Sequence, residues 1–77
     1  MAVIITATVE RAATPGTFIG WVHVEVPDGP SFARCTDVLD NRFSVQNRTE
    51  VLLRTIVQTV NLFESPKVND FTGKLPE

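Results

Sequence analysis

Several residue types are rare in this chain of 77 residues, and each scarcity excludes a kind of site. One cysteine rules out an intramolecular disulfide, and one histidine with one cysteine leaves no cluster of soft ligands for zinc. The four glycines are scattered and form no phosphate-binding loop, and no catalytic triad is apparent. The sequence therefore predicts no catalytic residues, no metal site and no cofactor, and we expect a protein that is not an enzyme.

Charge and hydrophobic runs are also limited. The formal charge is −2, from seven basic and nine acidic residues, so the electrostatic signature of nucleic-acid binding is missing and nucleic acid is an unlikely partner. No apolar run reaches the roughly 20 residues of a membrane span, and the N-terminus lacks the features of a signal peptide. These observations predict no membrane partner and a cytoplasmic location.

The clearest structural signal is the strand pattern from Phe18 to Val26. Side chains alternate between the two faces of a strand, so its valines share one face with Phe18. The other face carries Ile19, Trp21, His23 and Glu25. A first strand at 2–10 precedes it, and Pro15-Gly16 suits the centre of a type II turn. We predict a hairpin with Val3, Ile5 and Val9 on the valine face and Ile4 near Trp21 or Ile19.

In the middle of the chain the spacing of the apolar residues changes from that of a strand to that of a helix. Phe32, Cys35, Val38 and Leu39 recur at helical spacing, which predicts a short helix over 31–41, capped by Ser31 and ending at Asp40-Asn41. Alternation at 42–46 then predicts a strand with Phe43 and Val45 pointing inward. Together these elements predict a mainly β (α+β) fold: a small antiparallel sheet or partly open barrel with one short helix.

Residues 50–63 allow two interpretations. The spacing of Leu53, Ile56, Val57, Val60 and Phe63 fits a helix, and Asn47 with Glu50 resembles a capping box. The many Val, Ile and Thr residues favour a strand, which is the prediction adopted, with the helix as the alternative. Residues 1–64 are then a single β-rich domain, and the polar segment 65–77 is a flexible C-terminal tail.

The motif Arg34-Cys35-Thr36-Asp37-Val38-Leu39-Asp40 carries a resemblance. The order of a hairpin, a Pro/Gly turn, this motif and an aromatic strand resembles a group of small bacterial β-rich domains of unknown function, over roughly 20–45. Those domains usually have Asn at the position of Asp40. The resemblance implies a compact β-rich domain with one short helix, and no activity.

The side chains that could take part in catalysis or bind a metal each have a simple structural explanation. His23 beside Glu25 fits an exposed surface histidine, and Cys35 fits a small buried apolar residue between Phe32 and Leu39. Asp37 and Asp40, three residues apart, fit solvated acids on a helix surface.

A small chain without disulfide or metal gains stability most readily by association. We therefore predict a non-enzymatic protein-interaction or oligomerisation module that forms a homo-oligomer, with an interface of Ile4, Ile19, Trp21 and His23. Trp21 is either covered by the predicted helix or exposed, and exposure would mark an interface. The alternative is a nucleic-acid-binding small barrel, with Phe18, Trp21 and Phe43 stacking on bases and Arg34, Arg42, Arg48 and Arg54 following the backbone.

Overall fold

The hairpin that opens the fold follows directly from the alternating sequence. The computed structural model describes residues 2–74, in which β1 (Ile4–Arg11) pairs antiparallel with β2 (Phe18–Glu25) from Ile4↔Glu25 to Arg11↔Phe18. The connecting turn has Pro15 and Gly16 at its centre, with Gly16 at φ +82° and the Thr17 amide donating to the Thr14 carbonyl at 3.1 Å. A positive φ at this position is typical of a type II turn, as the sequence predicted.

Two further strands complete a mixed sheet in the order β3-β2-β1-β4. β3 (Phe32–Cys35) runs antiparallel to β2, and β4 (Lys67–Phe71) runs parallel to β1. The predicted α+β class is therefore confirmed, and the sheet is open rather than closed into a barrel. The predicted short helix at 31–41 is wrong, since this segment holds β3 and an extended stretch in which Leu39 bridges to Phe18.

The C-terminal segment does not form the flexible tail that was predicted after residue 64. Lys67 to Phe71 lie beside Ile4 to Thr8, and the Lys67 amide donates to the Val3 carbonyl at 2.8 Å. Thr72 is 3% exposed, and its hydroxyl lies within hydrogen-bond distance of Asp70 and Glu50. The domain therefore continues to the end of the described residues, and the last part of the predicted tail, 75–77, lies outside them.

A single 20-residue helix, α1 (Arg42–Asn61), lies across the sheet. It replaces both predicted strands, 42–46 and 50–63, so the helical alternative for the second segment is correct. Asn41 caps it, accepting from the amides of Phe43 and Ser44 at 2.9 and 3.2 Å, instead of the predicted capping box at Asn47 and Glu50. Because Asn41 starts the helix with φ −120°, it is not the left-handed stop that the sequence suggested.

The hydrophobic core lies between α1 and one face of β1 and β2. It contains Val3 and alternate residues of β1 and β2, on the face that the sequence predicted: Val3, Ile5, Ala7, Val9, Val22 and Val24 are all buried. From the helix, Leu53 joins them, with Ile56, Val57 and Val60 packed at the margin. Val45 is buried as expected, whereas Phe43 is 63% exposed.

The helix approaches the sheet most closely at Gly20. A Cβ placed there would overlap the hydroxyl of Thr49 and lie 2.9 Å from its Cβ. Thr49 is fully buried and donates its hydroxyl hydrogen to the Val45 carbonyl at 2.6 Å, so it needs no partner on the sheet. The missing side chain at residue 20 therefore sets the distance between the two layers at this end of the core.

Candidate functional site: the open face of the sheet

The side of the sheet that points away from α1 carries a second set of side chains, here called the open face. Its members alternate with the core residues and follow from the pairing registers: Ile4, Thr6, Thr8, Glu10, Ile19, Trp21, His23, Glu25, Ala33, Cys35, Lys67, Asn69 and Phe71. In the part of the chain that the structure describes, no helix or strand packs against this face.

The central rows of the open face hold no charged residue. One row crosses all four strands through Cys35, Trp21, Thr8 and Phe71, and the next row contains Ala33, His23, Thr6 and Asn69. In the second row the Asn69 amide lies 3.5 Å from the Thr6 hydroxyl, a contact at the limit of hydrogen bonding. An uncharged centre is typical of the buried part of a protein interface.

Charges are confined to the two ends of the open face. At one end Ile4 lies between Glu25 and Lys67, and at the other end Ile19 lies opposite Glu10. These three charged side chains, Glu10, Glu25 and Lys67, are exposed. The arrangement of a neutral centre with a charged margin matches the general anatomy of protein interfaces.

The structure places the four residues of the predicted interface on this one face. Ile4, Ile19 and Trp21 are half-buried, and His23 is exposed. The rings of Trp21 and His23 stack with centroids 5.7 Å apart and an angle of 20° between their planes. The expected proximity of Ile4 to Trp21 or Ile19 is wrong, because the register sets Ile4 opposite Glu25, at the far end of β2 from Ile19.

Trp21 itself is not covered by the helix, which lies on the other side of the sheet. Its flanks are Thr8 on β1 and Cys35 on β3, both small side chains that leave the ring partly exposed. Cys35 was expected in the core beside Phe32 and Leu39, but it is exposed on the open face. Two residues that pattern reasoning did not assign to a site, Cys35 and Phe71, thus join the row of Trp21.

Phe71 could not be found from local pattern because its position depends on a parallel pairing with a strand some 60 residues earlier. It is 42% exposed, and the amino group of Lys74 lies 5.6 Å from its ring centroid. Phe71 extends the apolar row to the β4 edge. The signal in the sequence was weak, since Lys, Asn and Asp surround it in a segment typical of a tail.

A groove of about 680 Å³ lies at the Ile4 end of the sheet. Ile4, His23 and Ala33 from the open face line it, together with Val26 and Phe32. Glu25 also lines it, and the groove is a shallow depression that is open to solvent.

The residues proposed for nucleic-acid binding do not share a surface. Trp21 is on the open face, Phe18 belongs to the helix side of the sheet, and Phe43 lies in the first turn of α1. Arg42, Arg48 and Arg54 are on the helix, and Arg48 pairs with Asp37 at 3.6 Å. Asp37 and Asp40 lie in extended chain instead of on a helix.

Other possible chemistries find no support among residues 2–74. No group of three His, Cys, Asp or Glu side chains is placed to hold a metal ion. The helix described there is not long and apolar enough to cross a membrane. His23 and Glu25 are both exposed on β2, and the contact made by the His23 ring is its stack with Trp21.

No family model, curated protein or solved structure matches this chain. The resemblance of residues 20–45 to small bacterial domains therefore remains a prediction from the motif alone.

Proposed function

We propose that this protein is a non-enzymatic interaction module that associates with a second copy of itself through the open face. The observation that carries the proposal is the uncharged double row centred on half-buried Trp21, which no element in the described chain covers. Tryptophan is among the residues that contribute most to binding energy, because its large ring loses much apolar surface when a partner covers it.

The helix side is already covered, because α1 packs on it, whereas the apolar side chains of the open face are still in contact with water. Stacked sheets pack about 10 Å apart, so two open faces can interdigitate without any change in the strands. At about 25 cal/mol for each Å² of apolar area removed from water, covering the central rows would supply several kcal/mol.

The size of the open face limits how tight this contact is. Four strands about 4.8 Å apart and about six residues of about 3.3 Å each give a projected area of roughly 400 Å². Stable interfaces bury about 800 Å² on each partner, so a dimer held by this face alone is expected to dissociate at low concentration. Association should therefore depend visibly on concentration in the micromolar range.

The test compares Trp21→Ala with Phe63→Ala. Both changes remove a large aromatic ring, but Phe63 follows the helix, is 84% exposed and lies off the open face. Analytical ultracentrifugation over a concentration series should show that the wild type and Phe63→Ala associate equally, while Trp21→Ala associates more weakly at the same concentrations. Thermal midpoints of the two variants should differ little from that of the wild type.

Two results would contradict the proposal. One is a wild type that remains monomeric up to the highest soluble concentration. The other is a Trp21→Ala protein that melts early and associates normally, which would make Trp21 a stabilising residue of the monomer rather than part of an interface.

A further inference from the structure

The outer edge of β3 has backbone hydrogen-bonding groups that no other strand in the described residues uses. The Thr36 amide donates to the Gly20 carbonyl at 2.9 Å, and the Gly20 amide donates to the Thr36 hydroxyl at 3.0 Å, so Thr36 faces β2. Bonding residues alternate along an antiparallel pair. Arg34 and Phe32 therefore also face β2, while Ala33 and Cys35 direct their backbone N–H and C=O groups away from the sheet.

A side-chain contact supports this alternation. The Arg34 guanidinium donates to the Ala33 carbonyl at 3.2 Å, so that carbonyl faces outward and is reached by a side chain instead of a strand. The same guanidinium carbon lies 5.3 Å from the centroid of the Phe32 ring. An edge whose polar groups are open in this way is a template for another strand.

The β4 edge is less suited to pairing. Pro66 precedes it and Lys67 begins it, and proline and lysine are the residues that proteins use to protect sheet edges. Along β3 the outward positions are Ser31, Ala33 and Cys35, which are all small and leave room for an approaching strand. The two edges of the sheet therefore differ, and β3 has the smaller side chains at its outward positions.

We propose that β3 pairs antiparallel with β3 of a second copy about a two-fold axis at Ala33. In this register Arg34 lies opposite Phe32 of the second copy, so the cation–aromatic contact seen within the chain can form across the interface. A register centred on Arg34 would place two arginines directly opposite each other, which is destabilising. One centred on Cys35 would extend past the end of β3.

Edge pairing has a consequence for the open face. It joins two four-stranded sheets into one of eight strands, with both open faces on the same side and both helices on the other. The projected open face doubles to roughly 800 Å², the size that stable interfaces bury on each partner. This consequence rests on the function proposed above, whereas the edge contact itself needs only the backbone of β3.

Cross-linking tests the register directly. In a Cys35→Ser background, Ala33→Cys places the two new thiols at the two-fold axis, where paired Cα atoms are about 5.5 Å apart and within the range of a disulfide. The control is Ala13→Cys in the same background, an exposed position in the hairpin turn. With oxidised glutathione, we expect a disulfide-linked dimer from Ala33→Cys at several times the yield of the control.

A second variant removes the edge contact without a new cysteine. Ala33→Pro deletes an N–H that β2 does not use, so the monomer should melt near the wild-type midpoint, while its association should weaken at least tenfold. Equal cross-linking at positions 33 and 13, or wild-type association of Ala33→Pro, would overturn the edge contact. Loss of association in Trp21→Ala would still support docking through the open face in that case.

Discussion

The two faces of the sheet use the same strands for different purposes. On the helix side, Ile5, Val22 and Val24 are at most 1% exposed, and Gly20 lets the helix approach. On the open face, their neighbours Ile4 and Trp21 remain half-buried and His23 is exposed. The comparison shows that alternation alone predicts two different surfaces, and that the presence of α1 decides which of them becomes the core.

The helix side is the better packed of the two because α1 covers it, and at one end the close approach needs a residue without a side chain. Gly20 and Thr49 meet where a Cβ would not fit, and the Thr49 hydroxyl is satisfied within its own helix. On the open face, small residues such as Thr8 and Cys35 flank Trp21 and leave its ring accessible. Small residues therefore permit close packing on one face and leave an aromatic ring accessible on the other.

The largest expected difference between the faces comes from two adjacent isoleucines. Ile5→Ala removes a fully buried side chain and should lower the free energy of unfolding by about 2–5 kcal/mol. Ile4→Ala makes the same chemical change on the open face, where the side chain is half-buried, and should lower it by less than half as much. Urea denaturation of both variants measures the two losses in free energy of unfolding. Equal losses would show that the two faces do not differ in how much their side chains stabilise the fold.

A smaller effect is expected from overpacking at the helix contact. Gly20→Ala forces α1 away from the sheet and should lower the free energy of unfolding by about 1–3 kcal/mol. Gly73→Ala is the control, since its Cβ would meet the nearest atom, on Gln46, at an ordinary distance of 3.8 Å. Adding Thr49→Gly should recover part of the loss, so that the double variant is more stable than the sum of the single changes implies.

Strictly additive changes in that cycle would contradict the account of Gly20. The rescue is expected to be partial because glycine within a helix costs about 1 kcal/mol. Near-ultraviolet circular dichroism of Gly20→Ala would report whether the packed core persists. A variant as stable as Gly73→Ala would mean that the helix can shift freely at this position.

How much of this fold was predictable depends on the range of the interactions. The hairpin and its turn were predicted correctly, because alternation in Phe18–Glu25 and the Pro15-Gly16 turn act within a few residues. The valine face was correct for the same reason. The core could therefore be assigned from β1 and β2 before the element that covers it was known.

The errors have two physical causes. In α1, β-branched residues and threonines suggested a strand, but Thr49, Thr55 and Thr59 donate their hydroxyl hydrogens to carbonyls four residues earlier, which accommodates them in a helix. In β4, the pairing with β1 spans most of the chain and the segment is polar, so no local signal indicated it. Long-range pairing also explains why Phe71 was missed as part of the open face.

The placement of the predicted interface residues was likewise correct where it depended on local alternation and wrong where it depended on strand register. Ile19, Trp21 and His23 lie on one strand, and their common face follows from alternation alone. Ile4 belongs to the same face, but its place beside Glu25 instead of Trp21 depends on the register, which the turn length determines. That these residues form an interface is still a proposal, and it now has a defined geometry to test.

The most direct test uses the fluorescence of Trp21, which is the one tryptophan of the chain and lies at the centre of the open face. If two copies dock through this face, the emission maximum shifts to shorter wavelength as protein concentration rises through the range in which ultracentrifugation shows association. The shift should be absent when Ile19→Asp prevents docking. An emission maximum that stays constant while the protein associates would contradict the account, because the open face would then remain in water in the assembled state.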